Sequence, residues 1–214
     1  MMMKKALALL IAIAIVLSLA ACGAKTDTSK EKSGSGETAS TPAASGKTLV
    51  VYFSRTGEQD KVGVIEKGNT KIVAEMIAEK AGAELFEIVP KNDTYPMTFD
   101  ALCDVAKEEQ NKNARPEIKD TVKDFDSYDT IYLGYPIWWA DLPMICYTFL
   151  ESYDFSGKTI IPFCTHEGSA DANTQKKIET AVPKATVKEI LAIRGQDAQN
   201  DQDSVKKQIE NWLK

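Results

Sequence analysis

Leu49-Val50-Val51-Tyr52-Phe53-Ser54-Arg55-Thr56-Gly57 is an apolar, β-branched run that stops at small polar residues, and Gly68-Asn69-Thr70 then opens a helical pattern reaching Ala81. The reading is strand, loop, helix. Hydroxyl and glycine residues where a strand feeds a helix N-terminus bring side-chain OH groups, free backbone N–H groups and a positive dipole end to one point. That chemistry suits a phosphate. The same Ser, Thr, Gly and Asn also suit an ordinary turn and helix cap, and taken alone the pattern serves either role. The spacing matches neither G-x-G-x-x-G nor G-x-x-x-x-G-K-[ST], which argues against a dinucleotide fold or a P-loop nucleotidase.

Working outward, apolar runs bounded by turn residues recur at 49–53, 84–89, 130–133, 159–163 and 187–193, which predicts five strands. Helical patterns fall between and after them at 70–81, 99–110, 141–151, 169–181 and 204–213, and in the first Ile72, Val73, Met76 and Ile77 point inward. Alternation on this scale predicts an α/β fold with a parallel sheet covered on both faces. Such sheets bind ligands at strand C-terminal ends, where the strand order reverses. Three loops qualify: 54–69, 135–140 and 165–168.

The second loop, Pro136-Ile137-Trp138-Trp139-Ala140, places two tryptophans directly after a strand. Adjacent residues in an extended stretch point opposite ways, so one indole is expected to line a cavity, where it suits a flat heteroaromatic ligand; packing of both under helices is the alternative. In the third loop, Thr165 and Gly168 allow close backbone approach, and His166 offers a donor or a positive charge unless Glu167 pairs with it.

Residues 1–21 read as an export signal, with Lys4-Lys5 ahead of an apolar segment too short for a typical membrane span. Leu19-Ala20-Ala21-Cys22 resembles the bacterial lipoprotein processing box, which implies cleavage before Cys22, lipid on its sulfur and an extracytoplasmic, membrane-anchored protein. The alternatives are an ordinary signal peptide or an uncleaved anchor. Residues 22–46 have little apolar content to bury and read as a flexible tether, leaving 47–214 as the folded domain. The formal charge is −5 with no basic cluster, so nucleic acid is disfavoured as a partner. Beyond Cys22 three cysteines remain, an odd number that cannot pair fully, and with one histidine the chain lacks zinc-ligand spacing. Cys103 and Cys146, each in a helical pattern, are expected to be buried thiols.

Ser54-Arg55-Thr56-Gly57 with Asn69-Thr70, the Trp-bearing second loop and the Thr/Gly third loop together resemble the flavodoxin family over residues 47–214. The phosphate loop of that family is contiguous, whereas here residues 58–67 divide it. The resemblance implies a doubly wound five-stranded sheet of order 2-1-3-4-5 and FMN as cofactor. It implies phosphate contacts from Ser54, Thr56, Asn69 and Thr70, with Arg55 beside them. Pro136, Ile137, Trp138 and Trp139 resemble the ring-holding loop of flavodoxin-like quinone reductases, and Thr165, His166 and Gly168 complete the implied site. The absence of a large C-terminal extension favours FMN over FAD. The second loop has no glycine to turn into positive φ, and a protonated His166 would add positive charge near the ring. Both point to two-electron chemistry. The implied function is electron transfer to a redox partner protein, or reduction of a quinone-type small molecule. The alternative is a lipoprotein that uses the scaffold as a non-redox binding module.

Overall fold

The computed structural model describes residues 46–214; the export signal, Cys22 and most of the tether lie outside the described residues. Strand β1 (Lys47–Tyr52) carries Leu49 and Val51 to one face of the sheet and Val50 and Tyr52 to the other, as the period of two requires. A short antiparallel hairpin, β2 (Gly57–Gln59) and β3 (Gly63–Ile65), fills the interval before helix α1 (Asn69–Ala81). There follow β4 (Glu84–Glu87), α2 (Phe99–Asn111), β5 (Tyr128–Pro136), α3 (Met144–Ser152), β6 (Thr159–His166) and α4 (Thr174–Ala181). The chain ends with β7 (Thr186–Val187), β8 (Leu191–Arg194), α5 (Gly195–Asn200) and α6 (Gln202–Trp212).

Apart from the hairpin, every strand pairing is parallel, in the order β4-β1-β5-β6, with β7 and β8 both on the far side of β6. The fold is therefore the expected doubly wound parallel sheet. Its last position is broken in two: Ile160 faces Val187 and Phe163 faces Leu191, so the outer strand spends one more residue than β6 over the same interval. That extra residue interrupts pairing and splits the expected fifth strand.

Two cores hold the layers together. Leu49, Val51, Phe53, Ile131, Leu133 and Tyr135 pack against Leu102, Ile145, Phe149 and Ile178 from α2, α3 and α4. On the opposite face Val50, Tyr52, Tyr132 and Phe163 meet Val73, Ile77, Ala198, Val205 and Ile209 from α1, α5 and α6. Within α1 the inward set is Ile72, Val73, Ala74, Ile77 and Ala78; Met76, expected to point inward, is only half-buried. Two helices begin later than the apolar pattern suggests. Helix α3 starts after Pro143, which has no N–H to give, and Ala170, Ala172 and Asn173 take left-handed turns before α4. Cys146 is buried as expected, but Cys103 is half-exposed.

Candidate functional site

The ends of β1, β5 and β6 open onto a cleft of about 670 Å³ on the side where strand order reverses between β1 and β5. At one end, helix α1 begins at Gly68, which has no side chain to cap it. Ser54, at the end of β1, supplies the missing acceptor: its Oγ receives the Lys71 N–H at 3.0 Å. The approach is too close for any other residue at 68, because a Cβ there would lie 2.1 Å from Ser54 Oγ and 2.5 Å from the Arg55 carbonyl oxygen. Thr70 Oγ1 is 2.8 Å from Thr165 Oγ1, joining the first and third loops. Asn69 Oδ1 accepts from Gln199 Nε2 at 2.8 Å. Hydroxyls, a carboxamide and the first N–H groups of a helix are therefore gathered at one place. An anion fits there without a neutralising cation.

Arg55 does not supply such a cation. Its Nη1 donates to both oxygens of Asp93 at 2.8 Å and its Nη2 to the Tyr95 carbonyl, with the guanidinium carbon 5.2 Å from the Tyr95 ring centre. Only Nε, buried, has no protein partner.

The other end is aromatic. Residues 138–141 form a two-residue turn in which Trp138 and Asp141 exchange backbone hydrogen bonds of 2.9 and 3.0 Å. Trp139 and Ala140 both have positive φ, 50° and 57°, a region that costs more for these residues than for the glycine this loop lacks. The surroundings hold the turn there. Gln110 Nε2 donates to the Trp139 carbonyl, Lys177 Nζ to the Ala140 carbonyl, and the Trp139 indole N–H to the Cys103 carbonyl at 2.8 Å. Because the stretch turns instead of running extended, both indoles line the cleft. Trp138 stands edge-on to Phe53 and Tyr95, with ring centres 5.4 and 5.5 Å away, while Trp139 is 51% exposed.

His166 closes the third side. Its Nδ1 accepts the N–H groups of Gly168 and Ala170 at 3.0 and 3.2 Å, which requires the proton of the neutral ring to sit on Nε2. Burial, with a smaller push from the Arg194 charge, lowers its pKa. A protonated His166 would have to break both bonds, so of the donor and the positive charge that the sequence left open the structure favours the neutral donor. Since the folded-state value lies below the unfolded one, this contribution to stability is complete above about pH 6.5 and is lost as pH falls through the folded-state value. Nitrogen chemical shifts of this sole histidine should report the Nε2–H tautomer and a midpoint below about 6.5. An Nδ1–H tautomer or a higher midpoint would contradict the assignment.

Of the residues singled out from sequence, Ser54, Arg55, Asn69, Thr70, Pro136, Ile137, Trp138, Trp139, Thr165 and His166 line this one cleft. Thr56 and Gly168 flank it without lining it. Sequence reasoning missed Gln59 and Asp60 from the hairpin and Asp100, Cys103 and Asp104 from α2, which also line it. Burial and the carboxylates of Asp100, Asp104 and Asp60 push the Cys103 thiol upward, so at neutral pH it is a protonated wall residue and not a nucleophile. The acidic spacing of α2 was the one available signal, and it reads equally as a solvated helix face.

Residues 47–213 match the family model described as Flavodoxin. A candidate flavoprotein from Bacteroides uniformis is 32% identical, with 77% of this chain and 98% of that one covered and a TM-score of 0.62. Another from Bacteroides eggerthii is 30% identical, covering 78% and 96%, with a TM-score of 0.63. A flavoprotein from Lactobacillus acidophilus, solved in complex with FMN, is 25% identical over 74% of this chain and 99% of that one, with a TM-score of 0.56. Among curated proteins none matches the chain. With the sheet order, the split hydroxyl loop and the indole-lined wall in one cleft, and with a family match spanning the whole described domain, this chain belongs to the flavodoxin family.

Proposed function

We propose that this protein binds FMN in the cleft and serves as a redox protein, held outside the cytoplasmic membrane by lipid on Cys22. The observation that carries the reading is the pairing of two unlike ends in one cleft: a neutral anion cradle at Ser54, Asn69 and Thr70, and an aromatic wall at Trp138 and Trp139. These residues fit the cofactor's two ends. Gly68 lets the start of α1 close on Ser54, which brings that hydroxyl to the helix N-terminus, and the indoles give a flat ring an apolar face. The FMN-bound relative supports the same choice of ligand.

Bound FMN would supply reversible uptake of electrons and protons at its ring. The chain's own residues would set the conditions. Ser54, Asn69 and Thr70 would hold the phosphate through N–H and O–H donors. Trp138, braced by Phe53 and Tyr95, would exclude water from one side of the ring, and neutral His166 offers an Nε2–H donor without fixed charge. Asp60, Asp100 and Asp104 give the mouth a negative rim, which disfavours added negative charge within and attracts basic partners. The electron acceptor proposed is accordingly a redox protein with a basic face or a quinone-type small molecule.

Titrating apo-protein with FMN and with riboflavin tests this reading. FMN should quench and bind far more tightly, because charge-assisted hydrogen bonds are worth about 1.5–3 kcal/mol each. Equal affinities would remove the phosphate assignment, and no binding of either would favour a non-redox module.

A further inference from the structure

The hairpin that divides the phosphate loop is tied down at both ends, and its middle lies on the cleft. At its base, Glu58 N–H donates to the Met97 carbonyl at 2.8 Å, and Glu58 Oε2 accepts the Phe99 N–H at 3.0 Å, capping α2 where Thr98 makes no side-chain cap. At its tip, Lys61 Nζ donates to the Glu167 carbonyl at 3.1 Å, and Gln196 Nε2 donates to the Lys61 carbonyl at 3.2 Å. Where the chain returns from the hairpin to α1, Gln199 Nε2 holds the Lys67 carbonyl at 2.8 Å. Between these anchors Gln59 and Asp60 line the same cleft as Asn69 and Thr70. The segment thus crosses from the start of α2 to the third loop and α5.

The far anchor is itself tightly seated. A Cβ on Gly195 would lie 2.2 Å from Asn69 Nδ2 and 2.5 Å from Glu167 Oε1, and that same Glu167 oxygen accepts the Gln196 N–H at 2.8 Å. The start of α5, the third loop and the cradle residue Asn69 are in mutual contact, and the hairpin tip is latched onto them. A ligand whose phosphate reached the cradle would meet protein where a longer ligand must continue. The carboxylates of Asp60 and Glu167 stand near this end together with the cations of Lys61 and Arg194, so the charge there is mixed and the obstacle to a longer ligand is steric.

We propose that the β2–β3 hairpin is a clasp over the phosphate end of the cleft, which slows the release of FMN and turns away flavin adenine dinucleotide. The inference rests on the FMN reading, which it extends from the identity of the ligand to how the chain selects and retains it. Exposed latches of this strength shift populations modestly, and removing two of them together gives a measurable change.

The test compares the full chain with the Lys61→Ala/Gln196→Ala double variant, whose altered side chains lie at the surface. Flavin release is followed by recovery of flavin fluorescence, and FMN and FAD affinities by quenching. The clasp predicts that FMN release accelerates about tenfold and that the preference for FMN over FAD narrows about tenfold. Unchanged release and an unchanged FMN-to-FAD ratio in a double variant that melts like the parent would overturn the clasp. Failure of the parent chain to bind either flavin appears before any variant is compared; it overturns the FMN reading and the clasp together.

Discussion

Gly68→Ala is expected to weaken FMN binding by about tenfold to 150-fold, about 1.5–3 kcal/mol, while changing riboflavin affinity by less than about threefold. The backbone at Gly68 is extended, with φ −65° and ψ 145°, so alanine suffers no dihedral strain there. The penalty is spatial. The added methyl would sit 2.1 Å from Ser54 Oγ and 2.5 Å from the Arg55 carbonyl oxygen, and one of them must yield. Moving Ser54 removes the acceptor for the Lys71 N–H and withdraws a hydroxyl from the anion cradle. Overpacking of this kind should also lower fold stability by about 1–3 kcal/mol, read from a urea transition. Riboflavin is the control, because it keeps the ring and lacks the phosphate. Parallel losses for both ligands would put the damage in the fold at large and leave the cradle without its assigned role.

A second large effect is expected far from the cleft. Lys158→Met should cost about 2–4 kcal/mol of stability and leave the FMN-to-riboflavin ratio unchanged. Lys158 is 7% exposed, and its ammonium donates to the carbonyls of Phe125, Asp126 and Tyr128 at 3.4, 3.2 and 2.6 Å, beside the Phe125 ring. None of these partners is a carboxylate. The cation therefore serves to satisfy carbonyls where the chain turns into β5, and methionine matches its length while abandoning all three. Lys158 precedes the first residue of β6, whereas the cleft is lined by its last two, Thr165 and His166, which separates stability from ligand affinity. Thermal melting should fall by roughly 5–15 °C. A change under about 1 kcal/mol would mean that water takes over the carbonyls.

The parts of this molecule that were legible beforehand are those with strong apolar patterning. Leu49 to Phe53 declared a strand buried on both faces, and Ile72, Val73 and Ile77 declared the core face of α1. Helix α5 gave no such signal, since Gly-Gln-Asp-Ala-Gln-Asn has no apolar period and buries only Gly195 and Ala198. The hairpin was readable as an excursion but not as paired strands, because three residues a side are too few for alternation to register. Its latches were beyond reach: Lys61 and Glu167 are 106 residues apart, and their contact depends on the finished sheet. The left-handed pair Trp139 and Ala140 was illegible for a different reason. Turn chemistry predicts Gly or Asn at such positions, and here tertiary hydrogen bonds from Gln110 and Lys177 override that preference.

The break in the outer strand has a consequence for how copies of this protein coexist. An uninterrupted strand at a sheet margin offers a row of unpaired N–H and C=O groups on which a second polypeptide can grow. Here that margin is divided into pieces of two and four residues, Thr186–Val187 and Leu191–Arg194, with the register displaced between them. The opposite margin is only four residues long, and glutamates stand at both of its ends, Glu84 and Glu87. Neither side offers a long continuous ladder, which disfavours edge-to-edge aggregation.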